Sequence, residues 1–491
     1  MKKFNIFAIG LILFAMAIGF VLAGCDLFTE GNETNDDSKF TTRKMFLTAD
    51  PVSGSLINPN HTYARLKAEG TYCYVWVKEG LGVNGAMAET IANKFDTGIY
   101  PKMLNTFGSS LTFDGEVYPN PMALADYFGD KNGKLNILVL DLRGDNSGID
   151  GYFFDGDFYD QYNSNKCDII YVNYGPHVGV GYTTLAHEMQ HMMNFVTGIA
   201  KGRPDGSQDT WVNEGLSSAA EWVYEGAHTQ WKVDWYKGAD NPNKNEVGYI
   251  AEGNNFYVWH NYDNNPRAIY DDYATVYLFF QWLRLQAGNI PIYKNIASSS
   301  DYDSLAVTEA MSAVDSGYAY WTTLLETWLA ANFINSSSGR YGYKNDPVLK
   351  DIKGFLIYYS SGTYALAPGE GFYTKTNTNP NLYIQGPNIQ NAFISSTGEV
   401  RDSGYYPGGY MISYNSNLDY DGSSEYGWIA SSPSGSISLN SVPGRRNAGR
   451  PASFSNIRID ARDIFRRNGM ERRNTSGSSL PAYKERVLID E

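Results

Sequence analysis

The chain has 491 residues, with 39 Lys and Arg against 53 Asp and Glu and a formal net charge of −14. At about 100–200 residues per domain, this length predicts two to four domains. Hydrophobic residues make up 43% and charged residues 19%, which argues against general disorder. The acidic balance argues against a nucleic-acid partner, because phosphate backbones select basic surfaces. Three cysteines are too few for a disulfide-stapled scaffold.

The N-terminus has the features of an export signal. Two lysines precede an apolar run over residues 4–22, which ends in Ala23-Gly24-Cys25. A small-residue cleavage site directly before a cysteine resembles the bacterial lipoprotein signal, in which the cysteine is lipidated and becomes the mature N-terminus. The alternative is a transmembrane anchor, since the run is nearly long enough to span a bilayer. We therefore expect a signal peptide over 1–24, lipid on Cys25 as the contact with the membrane, and a location in the bacterial cell envelope, at the cell surface or the periplasmic face.

Composition and periodicity divide the remaining chain into segments. After a polar tether over 25–45, the clearest predicted elements are strands at 72–77, 135–140 and 168–172, a helix at 87–95, and helices at 183–196, 211–224, 274–286 and 320–333. Beyond residue 335 Gly, Ser, Asn and Tyr dominate. Short alternating runs there, at 354–359, 381–385 and 410–414, predict a small all-β domain over 336–442.

The last segment, 443–491, differs from the others in charge. From Ser441 onward, eleven Lys and Arg stand against six Asp and Glu, so this end carries +5 and everything before it carries −19. We expect a basic, flexible tail.

The most informative stretch is His187-Glu188-Met189-Gln190-His191. Histidines four residues apart on a helix share one face, so both imidazoles can reach a single Zn²⁺ at about 2.0–2.1 Å. Glu188 can take the proton of a metal-bound water without ligating the metal. Apolar residues cover the rest of the helix, so its polar groups need a functional reason. A solvated helix that happens to carry two histidines is the alternative.

A catalytic zinc usually takes three protein ligands, and the next predicted helix offers two carboxylates. Glu214 follows His191 after 22 intervening residues, which leaves room for a turn and an antiparallel helix. Glu221 lies two turns further along the same face. One carboxylate would bind the metal, and the other could orient a ligand.

These segments resemble a known group of enzymes. Asn213-Glu214-Gly215 resembles the opening of the third-ligand helix of the gluzincin metallopeptidases. Leu-Ala-His-Glu-Met-Gln-His-Met-Met-Asn and Trp-Val-Asn-Glu-Gly-Leu-Ser, preceded by a strand, resemble the hyicolysin family of bacterial neutral metallopeptidases, over residues 46–335. The resemblance implies a zincin-like fold with His187, His191 and Glu214 as zinc ligands and Glu188 as the catalytic acid and base. Glu221 is then an alternative ligand or a residue that orients one.

We therefore expect an α+β protein, with a mixed sheet, an active-site helix and a helical subdomain over 46–335. The expected function is that of an exported, lipid-anchored zinc endopeptidase, in which a zinc-bound water activated by Glu188 hydrolyses proteins or peptides outside the cytoplasm. The alternative is a surface adhesin lipoprotein that keeps a zincin fold without turnover. An intact Glu188 argues against it, since a binding protein needs no general base beside the metal.

The mechanism also requires a donor to the tetrahedral oxyanion. Four residues downstream of the ligand helix are candidates that the sequence does not separate: His228, His260, Tyr270 and Tyr273.

Three weaker signals stay open. The acidic run Asp141, Asp145, Asp150, Asp155, Asp157 and Asp160 could bind structural Ca²⁺, but it lacks the spacing of an EF-hand loop, so a solvated loop is favoured. Cys73 and Cys167 fall in predicted strands of one sheet, where a disulfide and two buried thiols are both possible. Residues 85–89 resemble the substrate-amine motif of zinc aminopeptidases, but a glutamate does not directly follow Met87, which favours a plain helix and an endopeptidase.

Overall fold

The computed structural model describes residues 40–49, 59–142, 150–161, 163–175, 179–237, 256 and 268–352, followed by shorter stretches at 356–357, 363–365, 369, 371–375, 384–385, 389–402, 409–416 and 427–430. The expected signal peptide, Cys25, Asp145, His260 and the basic tail lie outside these residues. Within the described part, no helix is both long enough and apolar enough to cross a membrane.

The first half of the chain is built on a mixed sheet. In chain order, the strands of this half are β1 Arg43–Thr48, β2 Asn60–Glu69, β3 Cys73–Lys78, β4 Leu111–Phe113, β5 Glu116–Tyr118, β6 Leu135–Leu140, β7 Gly151–Phe153, β8 Ile169–Gly175 and β9 Gly179–Val180. The main sheet has the order β1-β2-β3-β6-β8-β7, with β9 paired to β8, while β4 and β5 form a separate hairpin. Strands β3, β6 and β8 run parallel, and β7 is antiparallel to β8. The three strands predicted from the sequence are confirmed and form the centre of this sheet.

The two faces of the sheet contribute to different apolar cores, because alternate side chains of a strand point to opposite faces. Cys73 packs in the large core that also contains the helices, whereas Cys167, just before β8, packs in a smaller core on the other face. Both thiols are buried and free. The possible disulfide between them is therefore not formed, since the sheet separates the two sulfurs.

Helices pack on the face of the sheet that carries Cys73. They are α1 Gly85–Lys94, which continues through a π turn at Phe95–Ile99 into α2 Tyr100–Phe107, then α3 Pro121–Phe128, α4 Tyr182–Lys201, α5 Thr210–Glu225, α6 Gln230–Lys237, α7 Ala268–Ala287, α8 Ile292–Ser298, α9 Ser304–Ser312 and α10 Trp321–Ile334. Helix α1 contacts β2 and β3, α4 contacts β7 and β8, and most of the other helices pack against one another in the same core. All five predicted helices are confirmed, with ends that differ by a few residues. Met87 lies within α1, as the plain-helix interpretation of its motif predicts.

The acidic run around β7 is not a uniformly solvated loop. Asp141 and Asp150 are exposed, but Asp155 and Asp157 lie within a short 3₁₀ turn and are buried, at 7% and 1% exposure. Asp157 accepts hydrogen bonds from the Tyr171 hydroxyl at 2.6 Å and from the Asn165 backbone N–H at 2.6 Å. The favoured interpretation is therefore wrong for these two residues, because tertiary contacts that composition does not reveal bury them.

Among its described residues, the C-terminal part contains short strands, including one in each of the three predicted runs. They are β10 Leu356–Ile357, β11 Thr363–Ala365, β12 Gly371–Lys375, β13 Ile384–Gln385, β14 Ile389–Ile394, β15 Val400–Arg401, β16 Tyr410–Asn415 and β17 Gly427–Ala430, in sheets of order β10-β12-β16-β14-β15 and β11-β17-β13. This region packs directly on α10. The Tyr373 hydroxyl donates to the Leu329 carbonyl at 2.6 Å, and the Tyr414 hydroxyl donates to Glu326 at 2.7 Å.

Candidate metal centre

Helix α4 places the two histidines of the motif beneath the sheet. It begins directly after β9 and ends at Gly202, whose φ of +80° lets the chain leave the helix in a left-handed conformation. Its apolar residues are buried in the large core, which fixes the orientation of the helix about its axis. His187 and His191 therefore lie one turn apart on the same face, with ring centroids 4.8 Å apart.

Helix α5 packs against α4 and brings a carboxylate to these rings. Glu214 Oε2 lies 3.3 Å from His187 Nε2 and 3.6 Å from His191 Nε2. Glu214 is 3% exposed, and its Oε2 has no hydrogen-bond donor among the described residues. A buried carboxylate oxygen without a donor is costly unless a cation occupies the space beside it. The three side chains form a group whose ligand atoms could hold one metal ion.

Glu221 occupies a different position from Glu214. Its Oε1 lies 2.9 Å from His187 Nδ1 and 2.7 Å from Lys232 Nζ, and its Oε2 accepts from the Thr229 hydroxyl at 3.0 Å. Because a carboxylate can only accept, His187 donates its Nδ1–H to Glu221 and keeps the Nε2 lone pair directed at the metal position. Both oxygens of Glu221 have partners other than a metal, which favours Glu214 as the third ligand.

A separate contact orients the second histidine. His191 Nδ1 lies 3.0 Å from Ser217 Oγ, and the Ser217 hydroxyl donates to Gln190 Oε1. Since the serine proton is directed at Gln190, the serine oxygen accepts from His191 Nδ1–H. His191 therefore also presents its Nε2 lone pair towards Glu214. The two hydrogen bonds give both histidines the same tautomer, with Nε2 as the coordinating atom.

Glu188 lies where α4 meets the edge strand β7. The backbone N–H of Phe153 lies close enough to its carboxylate to act against the effect of burial on its pKa. The close packing of α4 against β7 requires glycine at position 151, because a Cβ there would lie 2.6 Å from Thr184 Cγ2 and 2.8 Å from the Tyr171 carbonyl oxygen. Burial raises the pKa of Glu188, against the opposing effect of the adjacent His187 and His191. Glu188 is thus held beside the three candidate ligands without belonging to their group.

The electrostatics of the site favour a positive charge at its centre. Burial works to lower the pKa of His187, but the nearby carboxylates of Glu214 and Glu221 outweigh it and raise this pKa to about 10. Burial works to raise the pKa of Glu214, but His191 and His187 hold it well below its usual range. The site therefore binds a proton tightly on His187, and a metal cation at Nε2 would take the place of that proton.

The structure separates the candidate oxyanion donors. Tyr273 lies beside the ligands: its ring centroid is 6.4 Å from that of His187, and it is close enough to Glu214 for that carboxylate to raise its pKa. Burial and the charges of three nearby glutamates keep its pKa well above the ordinary value, so it remains a neutral donor. Tyr270 instead packs its ring against Trp231 and Trp235.

His228 is engaged elsewhere. Its Nδ1 lies 2.8 Å from the Tyr277 hydroxyl and its Nε2 lies 3.1 Å from Asp346 Oδ2. Both ring nitrogens of His228 thus have partners outside the group of candidate metal ligands, whereas Tyr273 lies beside that group. His260 lies outside the described residues.

Several residues of the site have no local sequence motif. Ser217 follows Glu214 by three residues and precedes Glu221 by four, so its place on the same helical face could have been found from spacing. Lys232 approaches from α6, and only the tertiary fold brings it to Glu221. Asn194, at the end of the quoted motif, donates to Asn213 Oδ1 at 2.6 Å and so links the two ligand helices.

The chain is also similar to a known protein. The chain is 27% identical over 336 residues to the neutral metalloprotease ShpI of Staphylococcus hyicus, an alignment that covers 65% of this chain and 68% of the relative. No family model matches the chain. The similarity supports the resemblance to bacterial neutral metallopeptidases that the sequence motifs indicate.

Proposed function

We propose that this protein is a zinc-dependent endopeptidase in which His187, His191 and Glu214 bind the metal and Glu188 is the general base. The observation that carries the proposal is the convergence of two Nε2 atoms on a buried Glu214 oxygen that has no donor among the described residues. Two histidines and one carboxylate are a donor set that suits zinc and leaves a coordination position open. The similarity to a relative named as a neutral metalloprotease supports a peptidase function.

Different residues of the chain would perform different steps of peptide hydrolysis. A bound zinc ion supplies Lewis acidity towards water and the substrate carbonyl. Glu188, which lies against β7 beside Gly151, accepts a proton from the attacking water and returns it to the leaving amine. Tyr273, neutral and beside Glu214, is the described residue best placed to donate a hydrogen bond to the oxyanion.

An extended peptide is the substrate that the surroundings of Glu188 suit. Strand β7 is the end strand of the main sheet among the described residues, and it runs directly past Glu188. A sheet edge can add a peptide as a further strand through backbone hydrogen bonds. This arrangement would present a peptide bond in the middle of a chain to Glu188, which favours an endopeptidase.

We also propose that the protein acts outside the cytoplasm, anchored through lipid on Cys25. The support is the sequence of the first 25 residues, in which a basic start and an apolar run precede Ala23-Gly24-Cys25. Labelling with a radioactive fatty acid in a bacterial host, compared between the natural sequence and Cys25→Ser, would test this. Equal labelling of both forms would contradict the anchor.

The test of the activity uses the soluble chain that begins after Cys25. We expect chelator-sensitive hydrolysis of casein, about one zinc per chain, and a fall in rate of about 10²–10⁴-fold in Glu188→Gln with zinc retained. Glu225→Gln, at the exposed end of α5, is the matched control and should leave the rate unchanged.

The possible results separate the proposals. Zinc bound without hydrolysis of casein or of a peptide library would favour the surface adhesin instead. Absence of bound zinc after dialysis against micromolar zinc would contradict the metal centre itself.

A further inference from the structure

A second group of carboxylates lies at the start of strands β6 and β8. Asp126 is in the last turn of α3, Asp130 lies in the loop that follows, and Asp168 immediately precedes β8. One oxygen from each of the three residues lies within 4.8 Å of the others. Two oxygens that are each 2.3–2.6 Å from one Ca²⁺ can be no more than about 5 Å apart, so this spread is compatible with a shared ion.

The innermost carboxylate provides evidence that is independent of this clustering. Asp168 is 1% exposed, and its Oδ1 has no hydrogen-bond partner among the described residues. The backbone at position 129 packs so close to this oxygen that only glycine fits, because a Cβ there would lie 2.6 Å from Asp168 Oδ1. A buried carboxylate oxygen in a folded protein nearly always has a donor or a cation beside it.

The outer two carboxylates are each held by one oxygen. Asp126 Oδ1 accepts from the Gly133 N–H at 2.7 Å, and Asp130 Oδ2 accepts from Asn136 Nδ2 at 3.3 Å. Asn136 is itself fixed by the Trp76 indole N–H, which donates to its Oδ1 at 2.9 Å. These bonds leave one oxygen of each outer carboxylate available for a further partner.

The positive side chains nearby do not neutralise the group. In the described part of the chain, none of the three aspartates forms an ion pair. Lys134 pairs with Glu69 at 2.6 Å, and Lys131 lies over the Tyr127 ring. Lys44 is close enough to lower the pKa of Asp130, but burial outweighs this effect.

The charges of the group therefore repel one another. Burial, followed by the charges of Asp130 and Asp126, raises the pKa of Asp168 well above its usual range. Either a shared proton or a divalent cation would relieve the repulsion. A proton can bridge only two of the three carboxylates, whereas a cation can contact all of them.

We propose that Asp126, Asp130 and Asp168 form a calcium site that ties the end of α3 to the first residues of β6 and β8. Calcium is favoured because the donors are all oxygens and because Asp126 and Asp130 are partly exposed, so water can complete its coordination shell. The site shares no residue with the candidate zinc centre, and the proposal does not depend on the peptidase function.

The experiment measures calcium binding to the zinc-loaded soluble chain after residual calcium has been removed on a chelating resin. Titration against a chromophoric calcium chelator should show a site on the natural chain, and calcium should raise the melting temperature while equal magnesium raises it less. Asp168→Asn and Asp130→Asn should each weaken calcium binding by about tenfold or more, because affinity depends on the number of charged ligands. Asp351→Asn, at an exposed position, is the matched control and should bind as the natural chain does.

Two results would overturn the proposal. One is the absence of calcium binding to the natural chain at millimolar calcium. The other is calcium binding that is unchanged in Asp168→Asn, and a higher melting temperature of that variant would then show that the aspartates share a proton instead. If Asp168→Asn does not fold, Asp126→Asn, at a less buried position, carries the same expectations.

Discussion

Replacing Lys232 by Met should destabilise the protein strongly, because Lys232 is a buried cation with a specific partner. The side chain is 1% exposed, and its Nζ lies 2.7 Å from Glu221 Oε1 and 2.8 Å from Ser218 Oγ. The ammonium group also lies 5.3 Å from the centre of the Tyr273 ring. Methionine fills a similar volume, so the substitution removes the charge and the hydrogen bonds with little loss of packing.

The expected cost follows from what Lys232→Met leaves behind. Glu221 would remain buried, at 9% exposure, with His187 and Thr229 as its remaining described donors. Removal of one partner from a buried ion pair typically costs about 3–5 kcal/mol, because the other charge stays in a medium of low polarity. We expect a loss of that size in the free energy of unfolding of the metal-free protein at pH 7.

The cost should also depend on pH in a defined direction. Burial works to raise the pKa of Glu221, but Lys232 is foremost among the groups that outweigh it and lower this pKa to about 2. A depressed carboxylate pKa stabilises the fold above the unfolded value near ~4.3, and this stabilisation is lost as the pH falls towards the folded value. The difference between the natural chain and Lys232→Met should therefore be full above about pH 5 and should shrink as the pH falls towards 2.

Urea denaturation at several pH values measures this difference. Lys350→Met, an exposed lysine, is the control and should change the free energy of unfolding by about 0.5 kcal/mol or less. The double variant Lys232→Met with Glu221→Gln should be more stable than Lys232→Met alone, because it no longer buries an unpaired charge. A double variant that is no more stable than the single one would refute the reasoning.

Other predictions concern residues away from the metal centre. Burial raises the pKa of Asp157 to about 7, above an unfolded value near ~3.9, so its contribution to stability is full below about pH 4 and is lost as the pH rises through 7. Asp157→Asn should flatten the fall in the urea midpoint between pH 4 and 8, and an unchanged slope would contradict the assignment. Gly198→Ala should cost about 3 kcal/mol or more in urea denaturation, because its Cβ would lie 1.5 Å from the Gly206 carbonyl oxygen; a loss below 1 kcal/mol would count against this close approach. Arg203→Lys should lower the melting temperature by several degrees, since the guanidinium donates to the carbonyls of Ala297 and Ser299 at 2.6 and 2.7 Å and lysine cannot reproduce that geometry; an unchanged melting temperature would refute it.

The parts of the fold that the sequence predicts are those with a long or strongly apolar local signal. Helices α4 and α5 are long and largely buried, strand β6 is buried at every position, and each is predicted to within about five residues of its observed ends. Strand β2 was not predicted. A bulge between Leu66 and Ala68 interrupts the alternation of apolar and polar residues, so the strand lacks the two-residue period that would identify it in the sequence. Strand β7 has three residues, too few to show any period.

Some residues of the site can likewise be predicted from the local sequence, and others depend on tertiary packing. His187, Glu188 and His191 are visible in the sequence because one helical turn fixes their relation. The choice of Glu214 over Glu221 needed the family resemblance, since both lie on the same helical face. Tyr273 could not be chosen from sequence among 38 tyrosines, because its place beside Glu214 depends on how α7 packs against α5.

The charges of the centre indicate which kind of ion it is built for. Lys232 balances Glu221, so this pair adds no net charge to the site. The two histidines are neutral when their Nε2 atoms coordinate a metal, because each donates its Nδ1–H to a neighbour. Glu214 and Glu188 then remain as two buried negative charges, which equal the charge of one divalent cation. A monovalent ion would leave one carboxylate uncompensated in a buried site, so the surroundings of the ligands favour a dication as clearly as the ligands themselves do.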